Sequence, residues 1–165
     1  MPELSVPLPP EPDPPSRPHD SVPRSLLLGI DHVGIAVADL DVAIEFYART
    51  FGMACVQQEV NEREGVREAM LAVAEAHDGS APCLQLLAPL TPESPIAAFL
   101  HRSGPGVQQV AYRVRDVEQV AAVLRERGLK VLYDTARPGT AGTLVNFVHP
   151  KDAGGVLVEL VERPR

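Results

Sequence analysis

The stretch DHVGIAVADLD, residues 31–41, decides the fold because a second stretch of the same pattern, QQVAYRVRDVE, occupies residues 108–118. The two stretches align at a constant offset of 77 positions, so that His32 meets Gln109 and Asp39 meets Asp116. Self-similarity at a fixed period indicates that the chain repeats one structural unit. The exchange of a histidine for Gln109 is the difference between the copies that bears on chemistry.

Each copy predicts one strand, one helix and three further strands. An apolar strand pattern precedes an aspartate suited to cap a helix, Asp39 in the first copy and Asp116 in the second. The helices are predicted at 39–52 and 117–128, where apolar residues recur at helical spacing and a glycine ends each segment. The strands that follow are predicted at 53–60, 66–73, 82–90, 130–136, 143–150 and 155–162.

The repeat predicts an α+β fold of tandem β-α-β-β-β modules that form a curved mixed sheet around a cleft. Neither module alone can easily cover both its helix and its sheet, whereas two modules packed side by side can. We expect a single domain over residues 25–165, with module one at about 29–90, a linking helix at about 94–104 and module two at about 107–162. Residues 1–24 hold nine of the 17 prolines, which predicts a disordered tail.

The composition argues against several classes of protein. The net charge of −7 disfavours a general binder of nucleic acid or of anionic membranes. No apolar run is long enough to span a membrane, and no secretory pattern opens the sequence, so a cytoplasmic location is expected. Cys55 and Cys83 lie in apolar, strand-like surroundings and are predicted to be buried free thiols in a reducing compartment.

Several longer motifs follow the repeat: IDHVGIAVADLDVAIEFY, EGVREAM, LQLLAPL, ESPIAAFL, LRERG, VLYDTARPGTAG and NFVHPKDAGGVLVELVE. Together they resemble the vicinal oxygen chelate superfamily, which includes glyoxalases and extradiol dioxygenases, and most of all its methylmalonyl-CoA epimerases. The resemblance covers about residues 29–162. It implies an isomerase that interconverts the 2R and 2S forms of methylmalonyl-CoA, or of a related 2-substituted malonyl-CoA, and that forms a homodimer.

The resemblance also implies a divalent metal ion in the cleft: cobalt, manganese, magnesium or zinc. The first-strand histidine of such enzymes matches His32, the fourth-strand glutamine matches Gln85 and the eighth-strand glutamate matches Glu159. Gln109 stands where the second histidine is expected, and Glu68 matches the separate catalytic glutamate. Because an amide oxygen is a weaker and harder ligand than imidazole, Gln109 should favour manganese or magnesium over cobalt or zinc.

The chemistry of such an epimerisation can be stated from the residues. The proton beside a thioester carbonyl must be removed on one face and returned on the other, which calls for two bases. Glu68 and Glu159 come from different modules and could flank that carbon. Carboxylates suit the task if partial burial raises their pKa. A divalent cation at the carbonyl oxygen would stabilise the negative charge of the enolate.

Other readings remain open at this point. The alternative interpretation of Glu68 and Glu159 is that they are exposed strand residues, and His149 before a proline is expected to be structural. Arg137 and Lys151 either meet anionic groups of a substrate or are solvated surface charges. A same-fold isomerase or lyase with an altered or absent metal, and a non-catalytic small-molecule-binding protein, are the alternative functions.

Overall fold

The computed structural model describes residues 21–73 and 81–164, so most of the predicted tail over residues 1–24 lies outside the described residues. No helix in these two ranges has the length and apolar content needed to cross a membrane. The strands are Leu27–Ala36 (β1), Met53–Asn61 (β2), Val66–Val73 (β3), Cys83–Pro89 (β4), Gly106–Val114 (β5), Arg137–Pro138 (β6), Leu144–Val148 (β7) and Leu157–Glu162 (β8). The α-helices are Leu40–Phe51 (α1), Pro95–Ser103 (α2) and Val117–Glu126 (α3).

The strands form one mixed sheet in the order β2-β3-β4-β1-β5-β8-β7-β6. The first four belong to one module and the last four to the other. Each module starts with a strand that pairs in parallel with the last strand of the same module, β1 with β4 and β5 with β8. The modules join where β1 and β5 pair antiparallel. This arrangement confirms the predicted α+β fold of two β-α-β-β-β modules in one curved sheet.

Local signals in the sequence fix the helix ends. The Asp39 carboxylate accepts from the Val42 N–H at 3.0 Å, and Asp116 accepts from the Gln119 N–H at 2.9 Å. Each such cap is worth about 1 kcal/mol. Gly52 ends α1 in the left-handed conformation, at φ 67°, which a residue with a Cβ adopts only with strain.

Each module buries one face of its strands beneath its own helix. In module one, α1 packs over a cluster of Leu40, Ala69, Leu71, Leu86 and Ala88. In module two, the cluster beneath α3 is formed by Leu26, Val114, Val117, Val120, Val148 and Leu160. Because side chains alternate along a strand, the residues between these apolar positions face the opposite side of the sheet. That side holds the cleft.

The strand predicted at residues 130–136 is wrong. Only Val131 forms a bridge there, to Val148, and β6 is confined to Arg137–Pro138. The buried side chain of Asn146 explains the difference, because its oxygen accepts from the Tyr133 N–H at 3.1 Å and its nitrogen donates to the Tyr133 carbonyl at 3.0 Å. A side chain thus satisfies the backbone groups that a neighbouring strand would otherwise pair.

The prediction of two buried thiols is wrong for Cys55. This residue is exposed, whereas Cys83 is partly buried, and both are free. Cys55 lies on β2, which forms one edge of the sheet. An apolar strand pattern predicts burial only where another element covers the strand, and much of β2 remains uncovered.

Candidate active site

Five neighbouring strands bring the five predicted site residues together. All five side chains are buried, although each is polar or charged. They are His32 on β1, Glu68 on β3, Gln85 on β4, Gln109 on β5 and Glu159 on β8. The reading of the two glutamates as exposed strand residues is therefore wrong: Glu68 is 6% exposed and Glu159 is 7% exposed.

Strand alternation positions Glu159. Its neighbours Val158 and Leu160 pack against the apolar cluster beneath α3, while Glu159 lines the cleft on the other side of the sheet. The sequence correctly predicted that Glu159 points to the face opposite Val158 and Leu160. The far side of the strand is a buried cavity wall because the sheet curves.

One hydrogen-bonded chain links four of these side chains. The Gln109 Nε2 donates to Glu159 Oε2 at 2.6 Å and to Gln85 Oε1 at 3.0 Å. The Gln85 Nε2 in turn donates to Glu68 Oε2 at 2.9 Å. Buried polar groups that satisfy one another in this way hold each other in fixed positions. Glu68 of module one and Glu159 of module two therefore belong to one network across the junction.

His32 enters the same network from β1. Its Nε2 lies 3.1 Å from Glu159 Oε2, and its Nδ1 lies 3.0 Å from Asp31 Oδ1. Burial alone would lower the pKa of His32, but the hydrogen bonds to Asp31 and Glu159 raise it to about 9. Asp31 at Nδ1 directs Nε2 toward the cluster, an arrangement that orients many metal-binding histidines. A metal ion bound there would displace the proton that the raised pKa keeps on Nε2.

Two arginines hold Asp31 in place. The Nε atoms of Arg113 and Arg163 each lie 2.8 Å from Asp31 Oδ2. Burial alone would raise the pKa of Asp31, but the hydrogen bonds from His32, Arg163 and Arg113 hold it well below the usual range of an aspartate. Asp31, Arg113 and Arg163 are not among the residues that the sequence patterns predict for the site. Asp31 directly precedes His32 in the sequence, and Arg163 directly follows the last strand pattern. No comparable signal marks Arg113.

The residue types of the cluster, one imidazole, two amides and one carboxylate, are types that bind divalent cations. No group of three or more His, Cys, Asp or Glu side chains in the described ranges is arranged to hold one, so amide oxygens must complete any ligand set. Gln109 Nε2 contacts both Gln85 Oε1 and Glu159 Oε2, and Glu159 Oε2 also contacts His32 Nε2. A half-turn of the Gln109 amide exchanges its nitrogen for its oxygen and gives one nitrogen and three oxygen ligands.

Thr140 fixes the far end of the network. Its hydroxyl donates to Glu68 Oε1, so both oxygens of this carboxylate are held, one by each module. Burial raises the pKa of Glu68, and the hydrogen bond from Thr140 partly opposes the shift. The sequence analysis did not single out Thr140, although the VLYDTARPGTAG motif contains it.

Two cavities meet at the cluster. The larger, of about 270 Å³, is lined by Glu68, Gln85, Gln109 and Glu159 among others. The smaller, of about 240 Å³, is lined by His32 and shares Gln85 and Glu159 with the first. The network therefore borders both cavities.

Of Arg137, Lys151 and His149, whose roles the sequence left open or indicated to be structural, Arg137 lies at the cleft. It lines the larger cavity, and its guanidinium lies 3.6 Å from the centre of the Tyr133 ring. Lys151 is exposed. His149 has a structural part, as expected, because its Nδ1 accepts from the Lys151 N–H at 3.2 Å and caps a short 3₁₀ turn.

The chain is similar to known proteins in both sequence and structure. Residues 31–147 match the glyoxalase/bleomycin resistance protein/dioxygenase superfamily. The structure is similar to that of methylmalonyl-CoA epimerase from Mycobacterium tuberculosis, with 52% sequence identity and a TM-score of 0.80 over 90% of this chain and 97% of that one. It is also similar to a variant of the Streptomyces coelicolor methylmalonyl-CoA epimerase in complex with 2-nitronate-propionyl-CoA, with 45% identity and a TM-score of 0.79 over 84% of this chain and 99% of that one.

A curated relative shows the same likeness in sequence. The ethylmalonyl-CoA/methylmalonyl-CoA epimerase of Cereibacter sphaeroides is 34% identical over 79% of this chain and 95% of its own length. Identities of this size over most of both chains, together with the shared fold, identify the family. The chain belongs to the glyoxalase/bleomycin resistance protein/dioxygenase superfamily and, within it, to the methylmalonyl-CoA epimerases.

Proposed function

We propose that this chain, an isomerase of the methylmalonyl-CoA epimerase family, uses Glu68 and Glu159 as the two bases that interconvert the 2R and 2S forms of methylmalonyl-CoA. The observation that carries the proposal is the position of these carboxylates. They come from different modules, they are buried, and both line the larger cavity. Two bases that border one cavity from different strands can reach opposite faces of a carbon between them.

The reaction needs one glutamate ionised and the other protonated. The ionised carboxylate takes the α-proton, so that the C–H bond breaks and its electron pair moves into the enolate of the thioester. The other carboxyl group then gives its proton to the opposite face of the same carbon. The two residues end with exchanged protonation states, and the reverse reaction restores them. Burial, which raises the pKa of Glu68, brings this carboxyl group closer to the range in which it can exchange protons.

Thr140 and Gln85 aim Glu68 at the cavity. The Thr140 hydroxyl and the Gln85 amide nitrogen each donate to a different oxygen of the carboxylate, which restricts its rotation. A base that is held in one orientation loses less entropy when the substrate binds. We infer that Thr140 is a positioning residue for Glu68.

His32, Gln85, Gln109 and Glu159 are the residues that would hold a divalent cation. When bound, such a cation supplies a Lewis acid that stabilises negative charge on the thioester carbonyl oxygen. With one imidazole and three oxygen donors, the set favours manganese or magnesium over cobalt or zinc. Glu159 Oε2 faces the other ligands, so its second oxygen is the one proposed to exchange the proton.

The breadth of the substrate, the oligomer and the location are further proposals. The Cereibacter sphaeroides relative is named for ethylmalonyl-CoA as well as methylmalonyl-CoA, which supports a cleft that accepts related 2-substituted malonyl-CoA thioesters. A homodimer and a cytoplasmic location remain predictions from the resemblance and the composition. Light scattering of the purified chain tests the first of them.

Deuterium exchange tests the function. The purified protein, with its metal content measured by elemental analysis, is incubated with methylmalonyl-CoA in deuterated water. We expect deuterium at the α-carbon, and we expect Glu68→Gln to lower the exchange rate by about 100- to 10,000-fold because the base is lost. Glu62→Gln changes an exposed glutamate in the turn between β2 and β3 and serves as the matched control.

The outcomes separate the alternatives. No exchange with any added divalent metal would overturn the epimerase proposal and favour a binding protein. Exchange that persists after complete removal of metal would overturn the metal part alone and favour an isomerase that works through the glutamates.

A further inference from the structure

An irregularity in β5 places two neighbouring glutamines on the cleft. β1 and β5 pair Gly34 with Gln109 and Ile35 with Val107, which leaves Gln108 as an extra residue opposite neither. In a regular strand, neighbouring side chains point to opposite faces, whereas a β-bulge turns one of them. Gln108 and Gln109 accordingly both line the larger cavity.

The side-chain oxygen of Gln108 is buried without a partner. Within residues 21–73 and 81–164, this Oε1 is the only buried side-chain nitrogen or oxygen atom that lacks a hydrogen-bond partner. Gln109 beside it bonds to Gln85 and Glu159. An unsatisfied buried acceptor destabilises the fold, so its retention at a cavity wall points to a donor that arrives with a ligand.

We propose that Gln108 Oε1 accepts a hydrogen bond from the amide N–H nearest the sulfur in the pantetheine arm of an acyl-CoA. The proposal rests on the proposed function, which places the thioester carbonyl beside Gln109. An amide oxygen accepts and cannot donate, so its partner must carry an N–H or O–H. In an ionised malonyl thioester, the amide nearest the sulfur is the one group near the sulfur that carries an N–H or O–H.

The spacing agrees with this assignment. The thioester carbonyl and the amide nitrogen are separated by a few single bonds through the sulfur. Consecutive Cα atoms in a chain are about 3.8 Å apart. Two neighbouring residues that share one cavity wall can therefore serve the two groups, Gln109 the acyl end and Gln108 the start of the arm.

Binding of matched substrate analogues tests the proposal. The probes are methylmalonyl-CoA, an analogue in which an ester oxygen replaces the N–H nearest the sulfur, and one in which it replaces the more distant N–H. Their dissociation constants are measured by calorimetry with the wild-type protein, with Gln108→Met, which keeps the length and loses the amide oxygen, and with Gln108→Glu, which keeps an acceptor.

The wild-type protein should bind the near-ester analogue about tenfold more weakly than methylmalonyl-CoA, because its acceptor is left unpaired. Gln108→Met should bind the two with equal affinity, and Gln108→Glu should keep the preference. Replacement of the distant N–H should have the same effect in the wild-type protein and in Gln108→Met.

Three results would overturn the assignment. Equal wild-type affinity for methylmalonyl-CoA and the near-ester analogue would mean that Oε1 pairs with water only. An equal loss for both probes in Gln108→Met would mean a packing role. Loss of the preference in Gln108→Glu would mean that the amide donates instead. The failure of the proposed function would be distinguishable. If the predicted binding preference is found but no α-deuterium exchange occurs, Gln108 is a thioester-binding residue and the epimerase proposal is overturned.

Discussion

At the scale of single residues, Gln109 lies at the centre of the candidate site. Its amide nitrogen bonds to Gln85 and Glu159, so the glutamine occupies the centre of the proposed ligand set. An imidazole at this position should bind a transition metal more tightly than an amide oxygen does. We therefore predict that Gln109→His raises the affinity for cobalt by roughly tenfold or more, which corresponds to about 1.4 kcal/mol.

Competition with a calibrated chelator measures this change. Gln119→His places a new histidine on α3, away from the cavities, and controls for weak binding of cobalt by any added imidazole. An unchanged cobalt affinity in Gln109→His would mean that residue 109 does not bind the metal.

The residues of the site could largely be predicted from the sequence, but their bonding could not. The repeat and the resemblance located His32, Gln85, Gln109, Glu159 and Glu68 on the strands that hold them. The direction of the Gln109 amide depends on which donors and acceptors surround it in space, and the neighbours of Gln109 lie 24 and 50 residues away in the chain. The partners of Asp31 escaped prediction for the same reason.

At the scale of elements, the pairing of β1 with β5 sets how closely the two modules approach. Gly34 on β1 lies opposite Gln109, and a Cβ added at Gly34 would come within 2.5 Å of Gln109 Cγ and 3.2 Å of a Leu87 methyl carbon. Gly34→Ala should therefore push the Gln109 side chain out of the cluster. We expect a loss of metal affinity and of exchange, with a stability cost of about 1–3 kcal/mol from overpacking.

Gly106→Ala is the matched control, because Gly106 lies on the same strand pair and a Cβ there meets nothing within 4 Å. Metal binding and thermal unfolding of both variants should separate them clearly. If Gly34→Ala keeps its metal affinity, then the close contact with Gln109 has no part in the site.

Elements were predictable where one local pattern decides them, and not where a distant side chain intervenes. The capping aspartates Asp39 and Asp116 mark helices that begin as expected. The apolar pattern at 130–136 satisfies the rules for a strand equally well, yet Asn146 takes the backbone groups of Tyr133. Nothing within the segment itself records that competition.

At the scale of the whole molecule, the candidate site forms only because two modules share one sheet. Glu68 and Gln85 come from module one, and Gln109, Thr140 and Glu159 come from module two. Each module has its own apolar cluster, but the strand pair β1–β5 and the buried polar network cross between them. A sheet that is continuous across the junction should make both modules unfold in one cooperative step.

Leu86→Ala tests this cooperativity. Leu86 is fully buried beneath α1 in module one, so its truncation should destabilise the protein by about 2–5 kcal/mol. Val42→Ala on the exposed side of α1 is the control and should change the stability very little, since Val42 is 65% exposed.

Hydrogen exchange followed by mass spectrometry resolves the two modules. The slowest amides of β8 in module two should lose as much protection as those of β4, because a cooperative unit opens as a whole. Loss of protection confined to β1, β3 and β4 would mean that the modules unfold separately, and that the contacts across β1 and β5 position the proposed catalytic residues without contributing to a common stability.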